Sequence, residues 1–425
     1  MPMAKDAITI LQTEEQIDQY LKERGIFSKS CRLVVEDLRK VKESAEGFVN
    51  LIYRVRGSDG RSVVIKQILD VPVSRQQRKS PDAYVSSWQL DQSRMQYEIA
   101  ALIFWNQIHP GICPEIYLLD RPNGVIVMED LSDLSLLRFE FARFKKYPRL
   151  GRQLGAFLAD NLFYSSALNM TEYRRQTLLQ YFDNPEVTAL YTFLFKSCVI
   201  VSPERAMPDA VAPLRQRIID DEGVQTEIKR LSHLFTDEKE CLIHTDLHAS
   251  NIMIDENHLK IIDGEFAGFG PIAQDFGRLC GSFVLDYCSL FGESGQPKEK
   301  REDYQRYLLD MLSDLFTVFE KEFKKLIREN IPHNYNLRKL DVDAYLNQHF
   351  ADALSFTALN AASRLSDWGL VHDFKILPVA ERIYPEKLVL ASSQDILSRR
   401  VQPARPEDWI DFLRELPNRY PKERL

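Results

Sequence analysis

The stretch that decides the fold is LIHTDLHASNIMID, residues 242–255, which sets two histidines, two aspartates and an asparagine among apolar residues. Such a segment is typical of a metal site, of a polar loop between two buried strands, or of the catalytic loop of an enzyme. Zinc takes three or four nitrogen or sulfur ligands, and no further histidine or cysteine cluster accompanies this segment. The sequence therefore disfavours zinc, and the residues around the segment have to decide between the two kinds of loop.

Outward from this stretch, the chain divides into a strand-rich part and a helix-rich part. β-Branched or alternating segments that predict strands cover residues 32–38, 50–57, 62–68, 115–120 and 124–131. A short amphipathic helix is predicted over 13–25 and a prominent helix over 95–108, whereas 135–237 and 296–425 are dominated by helical periodicity. We expect an α+β fold of two lobes. The small lobe, with an antiparallel sheet, covers 1–130, the hinge lies near 128–132, and the helical lobe covers 131–425.

Bulk properties exclude several classes of protein. A length of 425 residues favours two domains or lobes, and a net charge of −7 argues against general nucleic-acid binding. No stretch approaches the roughly 20 apolar residues that span a bilayer, and the first residues lack the apolar core of a signal peptide. Six cysteines without a Cys-x-x-Cys pair favour free thiols in a reducing compartment. We expect a cytoplasmic protein that binds neither membranes nor nucleic acids.

Three residues of the small lobe fit the binding of ATP. Phosphoryl transfer needs a cover over the phosphates and a cation to contact them. The segment ESAEGFVNLIYRV (43–55) offers a strand-turn-strand cover around Gly47, and Lys66 ends the strand VVIK. Glu98, in the following helix, is placed to hold that lysine, as kinases require. Each feature has an ordinary reading when taken alone: a hairpin, an exposed lysine and a solvent-facing glutamate.

Met128, Glu129 and Asp130, at the hinge, are the further candidates for contact with the nucleotide. They belong to the segment VMEDL, which joins the two predicted lobes. They are candidates because of their position: together with the other candidate residues, they follow the order along the chain that a two-lobed kinase requires. The combination of these features is harder to obtain by chance than any one of them.

The segment 242–255 and the residues just after it then supply the groups that phosphoryl transfer needs. Asp246 is the candidate base that orients and deprotonates the attacking hydroxyl. Asn251 and Asp263 offer amide and carboxylate oxygens, the ligands that Mg²⁺ prefers. His244 and His248 are predicted to brace the loop through hydrogen bonds, and direct contact of His248 with substrate is the alternative. The order of these residues favours the catalytic-loop reading.

The same residues carry a resemblance to a known family. The segments IHTDLHASNIMID and LKIIDGEFAGFGPIAQDFGRL resemble the aminoglycoside phosphotransferase and choline kinase superfamily, and within it the methylthioribose kinases. The likeness covers roughly residues 40–395, with His244 to His248, Asp263 to Phe266 and Asp275 to Gly277 at the motif positions. It implies a protein-kinase-like fold, ATP, Mg²⁺, a small-molecule acceptor and a homodimer. It also implies that Glu265 is a metal ligand or supports one.

Three departures from the family pattern bear on the acceptor. The family loop ends Thr-Gly-Ser where this chain has Ala-Ser-Asn (249–251), and Asp-Pro-Glu is replaced by Asp-Gly-Glu (263–265). The family also presents an adjacent arginine pair near the sugar, and the corresponding residues here are Ser363 and Arg364. Arg364 is thus the remaining guanidinium that we expect to contact substrate. Losing one guanidinium removes a planar group with several donors.

Three hypotheses about function follow. The first is an ATP- and Mg²⁺-dependent kinase for a sugar such as methylthioribose. The second keeps the machinery but changes the acceptor to a deoxy sugar, an amino alcohol such as choline, or an aminoglycoside. The third is a non-catalytic nucleotide-binding scaffold, which only the low glycine content around Gly47 supports. A protein kinase is disfavoured because Asp-Gly-Glu replaces the Asp-Phe-Gly of that class.

Overall fold

The computed structural model describes residues 10–41, 50–69, 91–184, 208–293, 295–365 and 371–425. Gly47, Trp88 and Trp368 lie outside the described residues.

The described strands are β1 (Leu33–Asp37), β2 (Leu51–Gly57), β3 (Ser62–Gln67), β4 (Ile116–Asp120), β5 (Val125–Glu129), β6 (Ser135–Leu136), β7 (Cys241–Ile243), β8 (Ile252–Ile254), β9 (Leu259–Ile261) and β10 (Gly268–Gly270). The described α-helices are α1 (Glu14–Glu23), α2 (Arg94–Ile108), α3 (Leu137–Ala142), α4 (Leu150–Ser165), α5 (Glu172–Tyr181), α6 (Ala212–Ile219), α7 (Glu222–Asp237), α8 (Ile272–Ser289), α9 (Lys298–Asn330), α10 (Val342–Ser363), α11 (His372–Lys375), α12 (Val379–Leu397), α13 (Pro406–Arg414) and α14 (Leu416–Arg419).

The chain forms two compact units. The sheet unit comprises Met1–Leu136 and Met253–Glu265, and the helical unit comprises Leu137–Ile252 and Phe266–Leu425. The sequence placed the division at residue 130 and assigned all later residues to one lobe. The return of the second segment to the sheet unit depends on strand pairing, since β8 pairs antiparallel with β6 through Ser135↔Ile254. Local hydrophobic patterns carry no information about such a pairing.

An antiparallel sheet in the order β1-β2-β3-β5-β4 forms the centre of the sheet unit. On one face, Ile17 and Leu21 of α1 pack with Val55, Ile65 and other strand residues. On the other face, α2 packs against the alternate strand positions, which include Ile126 and Met128. Successive residues of β5 therefore point to opposite faces of the sheet, and each face packs against a helix. The predicted strands and the predicted helices over 13–25 and 95–108 are confirmed to within a few residues.

Local sequence explains how these elements begin and turn. A capping box joins Thr13 and Gln16 at the start of α1, and Gly25 adopts a φ of 73° just after its end. This combination is a common way for a helix to start and stop. The turn between β2 and β3 contains Gly60 with a φ of 84°, a conformation that glycine adopts without strain.

Two close helix pairs build the helical unit. A Cβ atom on Gly155 of α4 would lie 2.3 Å from the carbonyl oxygen of Leu315 in α9. A Cβ atom on Gly277 of α8 would lie 2.2 Å from the Cβ atom of Phe356 in α10. Only glycine permits such approaches. The contact of α8 with α10 is the one that shapes the site, because both helices contribute side chains to it.

Two further expectations concern cysteines and membranes. The five cysteines within the described ranges are all buried and free, as expected for thiols in a reducing compartment. In the described part of the chain, no helix combines the length and the apolar character that crossing a bilayer requires.

Candidate active site

Lys66 and Glu98 form an ion pair in the sheet unit. The Nζ atom of Lys66, at the end of β3, lies 2.8 Å from both carboxylate oxygens of Glu98 on α2. Both side chains are buried, so neither is the exposed residue that the ordinary reading of the sequence required. Buried charges need such pairing. The geometry is the one that a phosphate-binding lysine and its supporting glutamate would have, and the role of each in binding nucleotide stays a prediction.

Asp263 and Glu265 complete a carboxylate cluster around this pair. The Oδ1 atom of Asp263 lies 2.5 Å from the Nζ atom of Lys66. One carboxylate oxygen from each of Glu98, Asp263 and Glu265 lies within 4.8 Å of the others. Asp263 adopts a φ of 65°, in the left-handed region that aspartate tolerates better than most residues. The cluster has the donor type and the spacing of a site for a hard divalent cation.

Charge shifts the protonation equilibria of this cluster. Burial lowers the pKa of an ammonium, but Asp263, Glu98 and Glu265 outweigh it and raise the pKa of Lys66 above its usual value. Burial raises the pKa of Glu98, and Lys66 offsets this only in part because Asp263 and Glu265 repel further negative charge. A cation bound among the carboxylates would reduce this repulsion.

Arg94 and Asn50 fix Glu265, and sequence reasoning missed both. The Nε atom of Arg94 and the Nδ2 atom of Asn50 each donate to Glu265 Oε2 at 3.0 Å. Arg94 also donates from Nη2 to Asn50 Oδ1 at 2.8 Å. Glu265 is 1% exposed, so its carboxylate is held by buried partners. The available signal was the position of Arg94, one helical turn before Glu98 on α2.

The side chains of Met128, Glu129 and Asp130, in the segment predicted as a hinge, have structural partners of their own. Glu129 accepts a hydrogen bond from Lys260 Nζ at 3.1 Å. Asp130 accepts hydrogen bonds from Arg54 Nε at 3.0 Å and from Ser62 Oγ at 2.5 Å. Met128 is buried in the core with α2. The side chains of these residues therefore brace the end of β5, and their contact with nucleotide stays a prediction.

In the helical unit, a buried carboxylate anchors the catalytic loop. Asp275, in the first turns of α8, accepts the backbone N–H of His244 at 2.7 Å and of Thr245 at 2.8 Å. Burial raises the pKa of Asp275 to about 6. Thr245 also donates from Oγ1 to the carbonyl oxygen of Phe266 at 2.6 Å. These bonds hold the backbone next to Asp246 in place.

Asp246 is engaged through both carboxylate oxygens. Its Oδ1 atom accepts from Arg278 Nε at 2.9 Å and from Arg278 Nη2 at 2.5 Å. Its Oδ2 atom lies 3.3 Å from His248 Nε2. Burial alone would raise its pKa, but Arg278, His248 and Arg364 hold the pKa of Asp246 well below its usual range. The side chain keeps 20% exposure, so a small molecule can reach an ionised carboxylate.

Burial and hydrogen bonding determine whether His248 is charged and which ring nitrogen carries its proton. Burial lowers the pKa of His248 to about 4, so the ring is neutral at pH 7. The backbone N–H of Ser250 donates to its Nδ1 atom at 3.1 Å, which leaves the proton on Nε2, facing Asp246. His248 thereby braces the loop, as the sequence predicted. Asn251 lies in the same loop and donates from Nδ2 to the carbonyl oxygen of Asp246 at 2.9 Å.

A small cavity adjoins the partners of Asp246. Its polar lining consists of Arg138, Arg278, Arg364, His248, Asn360 and Ser282. Within the ranges that the structure describes, the rest of the lining is aliphatic, without a carboxylate or an aromatic carbocycle. Two predicted substrate residues, His248 and Arg364, thus share one cavity.

Arg278 is the residue of this site that sequence reasoning overlooked. It directly follows the Asp-x-Gly motif of residues 275–277, and that position was the only signal available. Its partner Asp246 lies 32 residues away in the sequence. The contact exists because α8 starts beside the catalytic loop, where Asp275 binds the loop backbone.

Comparison with known proteins places this arrangement in a family. Residues 40–310 match the model of the phosphotransferase enzyme family. The chain belongs to this family. As a member, it is an ATP-dependent phosphotransferase that acts on an alcohol group of a small molecule.

The similar proteins include methylthioribose kinases, found by sequence, and an ethanolamine kinase, found by structure. A methylthioribose kinase of Pectobacterium atrosepticum is 29% identical over 85% of this chain and 86% of its own length. Methylthioribose kinase 1 of Oryza sativa subsp. japonica is 29% identical over 86% of each chain. A solved ethanolamine kinase of Plasmodium vivax has a TM-score of 0.45 at 12% identity, covering 92% of this chain and 91% of that one. The resemblance to methylthioribose kinases that the motifs indicated is confirmed.

Proposed function

We propose that this phosphotransferase transfers the γ-phosphoryl group of ATP to a hydroxyl of a sugar, methylthioribose or a related pentose. The observation that carries the proposal is the cavity beside Asp246, whose described lining offers guanidinium, imidazole, amide and hydroxyl groups. Such groups bind the oxygens of a polyhydroxylated molecule. The similarity to methylthioribose kinases over most of both chains supports the same acceptor.

Each residue has a defined part in this proposal. Asp246 accepts the proton of the attacking hydroxyl, and its depressed pKa keeps it ionised at neutral pH. Lys66, held by Glu98, binds phosphate oxygens of ATP. Arg364 and His248 contact the acceptor from the cavity lining. Met128, Glu129 and Asp130, together with Gly47, contact the nucleotide in this proposal.

The carboxylate cluster fits Mg²⁺. Its oxygen donors and its spacing suit a hard divalent ion, as does its one surplus negative charge, since three carboxylates face the two cations Lys66 and Arg94. Asp263 and Asn251 would hold the ion, and Glu265, fixed by Arg94, would support or join them. When bound, the ion neutralises charge on the phosphates. A cytoplasmic location and a homodimer stay predictions.

A cationic acceptor is the second candidate. Choline-like and aminoglycoside acceptors favour acidic or aromatic surroundings. The described lining of the cavity has neither a carboxylate nor an aromatic carbocycle that could hold a cation. Its guanidinium groups include Arg138 and Arg278, which are paired with carboxylates outside the lining. This observation supports a neutral sugar over an amino alcohol.

The proposal is tested by incubating the purified protein with Mg-ATP and methylthioribose and following the release of ADP. Asp246→Asn is assayed beside the wild type, and choline and an aminoglycoside replace the sugar in parallel reactions. We expect turnover with the sugar that falls by at least about 10²-fold in Asp246→Asn, because general-base help contributes that much. Phosphorylation of choline in preference to the sugar would contradict the proposed acceptor.

A scaffold without activity is distinguished in the same experiment. If neither the sugar nor any other hydroxyl compound is phosphorylated while ATP still raises the melting temperature, the non-catalytic hypothesis replaces this one. The matched control is Asp255→Asn, which neutralises an aspartate that bonds to His258 in a surface turn. It should leave the rate within about twofold, since surface substitutions away from a site have small effects.

A further inference from the structure

Arg278 engages one of the two carboxylate oxygens of Asp246. Two of its nitrogens, Nε and Nη2, donate to the single oxygen Oδ1 at 2.9 and 2.5 Å. The other oxygen faces His248 Nε2 at 3.3 Å. With both oxygens engaged by donors, the carboxylate has a weakened attraction for a further hydroxyl proton. An acceptor hydroxyl that donates to Oδ1 must replace Arg278 there, because its two nitrogens occupy both lone pairs of that oxygen.

Arg278 is the partner that a ligand can displace. It lines the cavity, and its third nitrogen, Nη1, lies 3.4 Å from Asn360 Oδ1 on α10. An acceptor in the cavity would bring hydroxyl oxygens to the guanidinium, and a γ-phosphoryl group in line with the acceptor would bring charged oxygens. Guanidinium groups bind phosphoryl oxygens through two parallel hydrogen bonds. Both ligands therefore compete with Asp246 for Arg278.

His248 is less free to move, because its other nitrogen accepts the N–H of Ser250 within the loop. It also caps the short 3₁₀ turn Ala249–Asn251. Moving the imidazole would break the loop that holds Asp246. The arginine, by contrast, is a long side chain on the rigid helix α8, so it can leave Oδ1 without altering the backbone.

We propose that Arg278 is a positioning residue that holds Asp246 while the acceptor site is empty and so suppresses the hydrolysis of ATP by water. Without it, a water molecule in the acceptor position gives its proton to Asp246, and its oxygen bonds to the γ-phosphorus. The bond from the γ-phosphorus to the bridging oxygen breaks, and ADP and inorganic phosphate leave. When the acceptor binds, Arg278 moves to the acceptor and the transferring group, and Asp246 is released for the hydroxyl. The inference rests on the proposed role of Asp246 and not on the identity of the sugar.

The test is the rate of ADP release from Mg-ATP with no acceptor present, measured for the wild type and for Arg278→Met. We expect this hydrolysis to rise by at least about tenfold in the variant, a fraction of what a general base contributes. In Arg278→Met combined with Asp246→Asn, the gain should disappear, because the proton then has no carboxylate to accept it. A loss of packing at α8 would lower the rate instead of raising it.

Three controls keep the result interpretable. Arg152→Met removes an exposed arginine of the same unit, paired with Asp314, and should leave hydrolysis unchanged. Arg278→Lys keeps the charge but not the two-nitrogen contact, so we expect an intermediate rate. If Arg278→Met does not fold, as circular dichroism and the melting temperature would reveal, Arg278→Gln takes its place.

Two outcomes would overturn the inference. One is hydrolysis in folded Arg278→Met or Arg278→Gln that equals or falls below the wild-type rate. The other is an increase that persists in the double variant with Asp246→Asn. Because no acceptor is present, failure of methylthioribose as a substrate leaves this test intact, and success with the sugar does not decide it.

Discussion

At the scale of single residues, Thr245 is held in an unusual backbone conformation beside Asp246. Its φ is 72°, in the left-handed region that β-branched residues avoid at a cost of about 1–2 kcal/mol. Its hydroxyl donates to the carbonyl oxygen of Phe266 at 2.6 Å, and its N–H donates to Asp275. These bonds offset the strain, so the loop can hold a threonine at this position.

Two substitutions at Thr245 separate the strain from the hydrogen bond. Thr245→Gly removes both, and we expect the free energy of unfolding to stay within about 1 kcal/mol of the wild type, because a hydrogen bond is worth about as much as the strain. Thr245→Val keeps the strain and loses the bond, so it should be less stable by about 1–2 kcal/mol. Urea denaturation measures both values. A valine variant as stable as the wild type would show that the hydroxyl does not offset the strain.

At the scale of elements, a charged pair joins α10 to the segment before β7. His349 on α10 donates from Nε2 to Glu240 Oε1, and its Nδ1 atom lies 2.7 Å from the carbonyl oxygen of Tyr345. Glu240 also accepts the N–H of Ile272, at the start of α8, at 3.0 Å. Both ring nitrogens thus face acceptors, which favours the imidazolium. Through these bonds, the pair connects α10, the segment before β7 and the start of α8.

The pair predicts how stability depends on pH. Burial lowers the pKa of His349, but the hydrogen bond and charge of Glu240, with Asp352 nearby, outweigh it and raise the pKa. A raised pKa means stabilisation that is complete below the unfolded value of about 6.5 and is lost as pH rises through the folded value. We expect His349→Gln to cost about 2 kcal/mol at pH 6 and at least about 1 kcal/mol less at pH 9.

The measurement is urea denaturation of both proteins at the two pH values. His233→Gln is the matched control, because His233 lies on the exposed face of α7, 3.8 Å from Asp237. Its substitution should change stability by less than about 0.5 kcal/mol at either pH. An equal effect of His349→Gln at pH 6 and pH 9 would mean that the imidazolium is not the stabilising form.

At the scale of the whole molecule, nucleotide binding should stabilise the folded chain. A ligand that binds only the folded state adds about 2.7 kcal/mol at a concentration of 100 times its dissociation constant. We expect a non-hydrolysable ATP analogue with Mg²⁺ to raise the melting temperature of the wild type and of Asp246→Asn. Lys66→Met should lose most of this rise, because it removes the ammonium at the centre of three carboxylates.

Calorimetry in the presence of the analogue, with and without a chelator, checks this expectation. The chelator should reduce the rise in the wild type, since the carboxylates would then face the phosphates without an intervening cation. Lys145→Met is the control, as this lysine is half exposed and pairs with Glu140 in the helical unit. If Lys66→Met were protected as strongly as the wild type, Lys66 would not be a nucleotide-binding residue.

The sequence alone determined the order of the elements, the α+β class and the likeness to methylthioribose kinases. It also identified Lys66, Glu98, Asp246 and Asp263 as candidates, because hydrophobic periodicity and motif spacing are local properties that can be read along the chain. Only the tertiary structure decided which side chains meet. Arg94 reaches Glu265 across 171 positions, and Arg278 reaches Asp246 across 32. Such contacts depend on how helices and strands pack, which no local spacing specifies. For the same reason, the cavity and its guanidinium groups became visible only when α8 and α10 were in place.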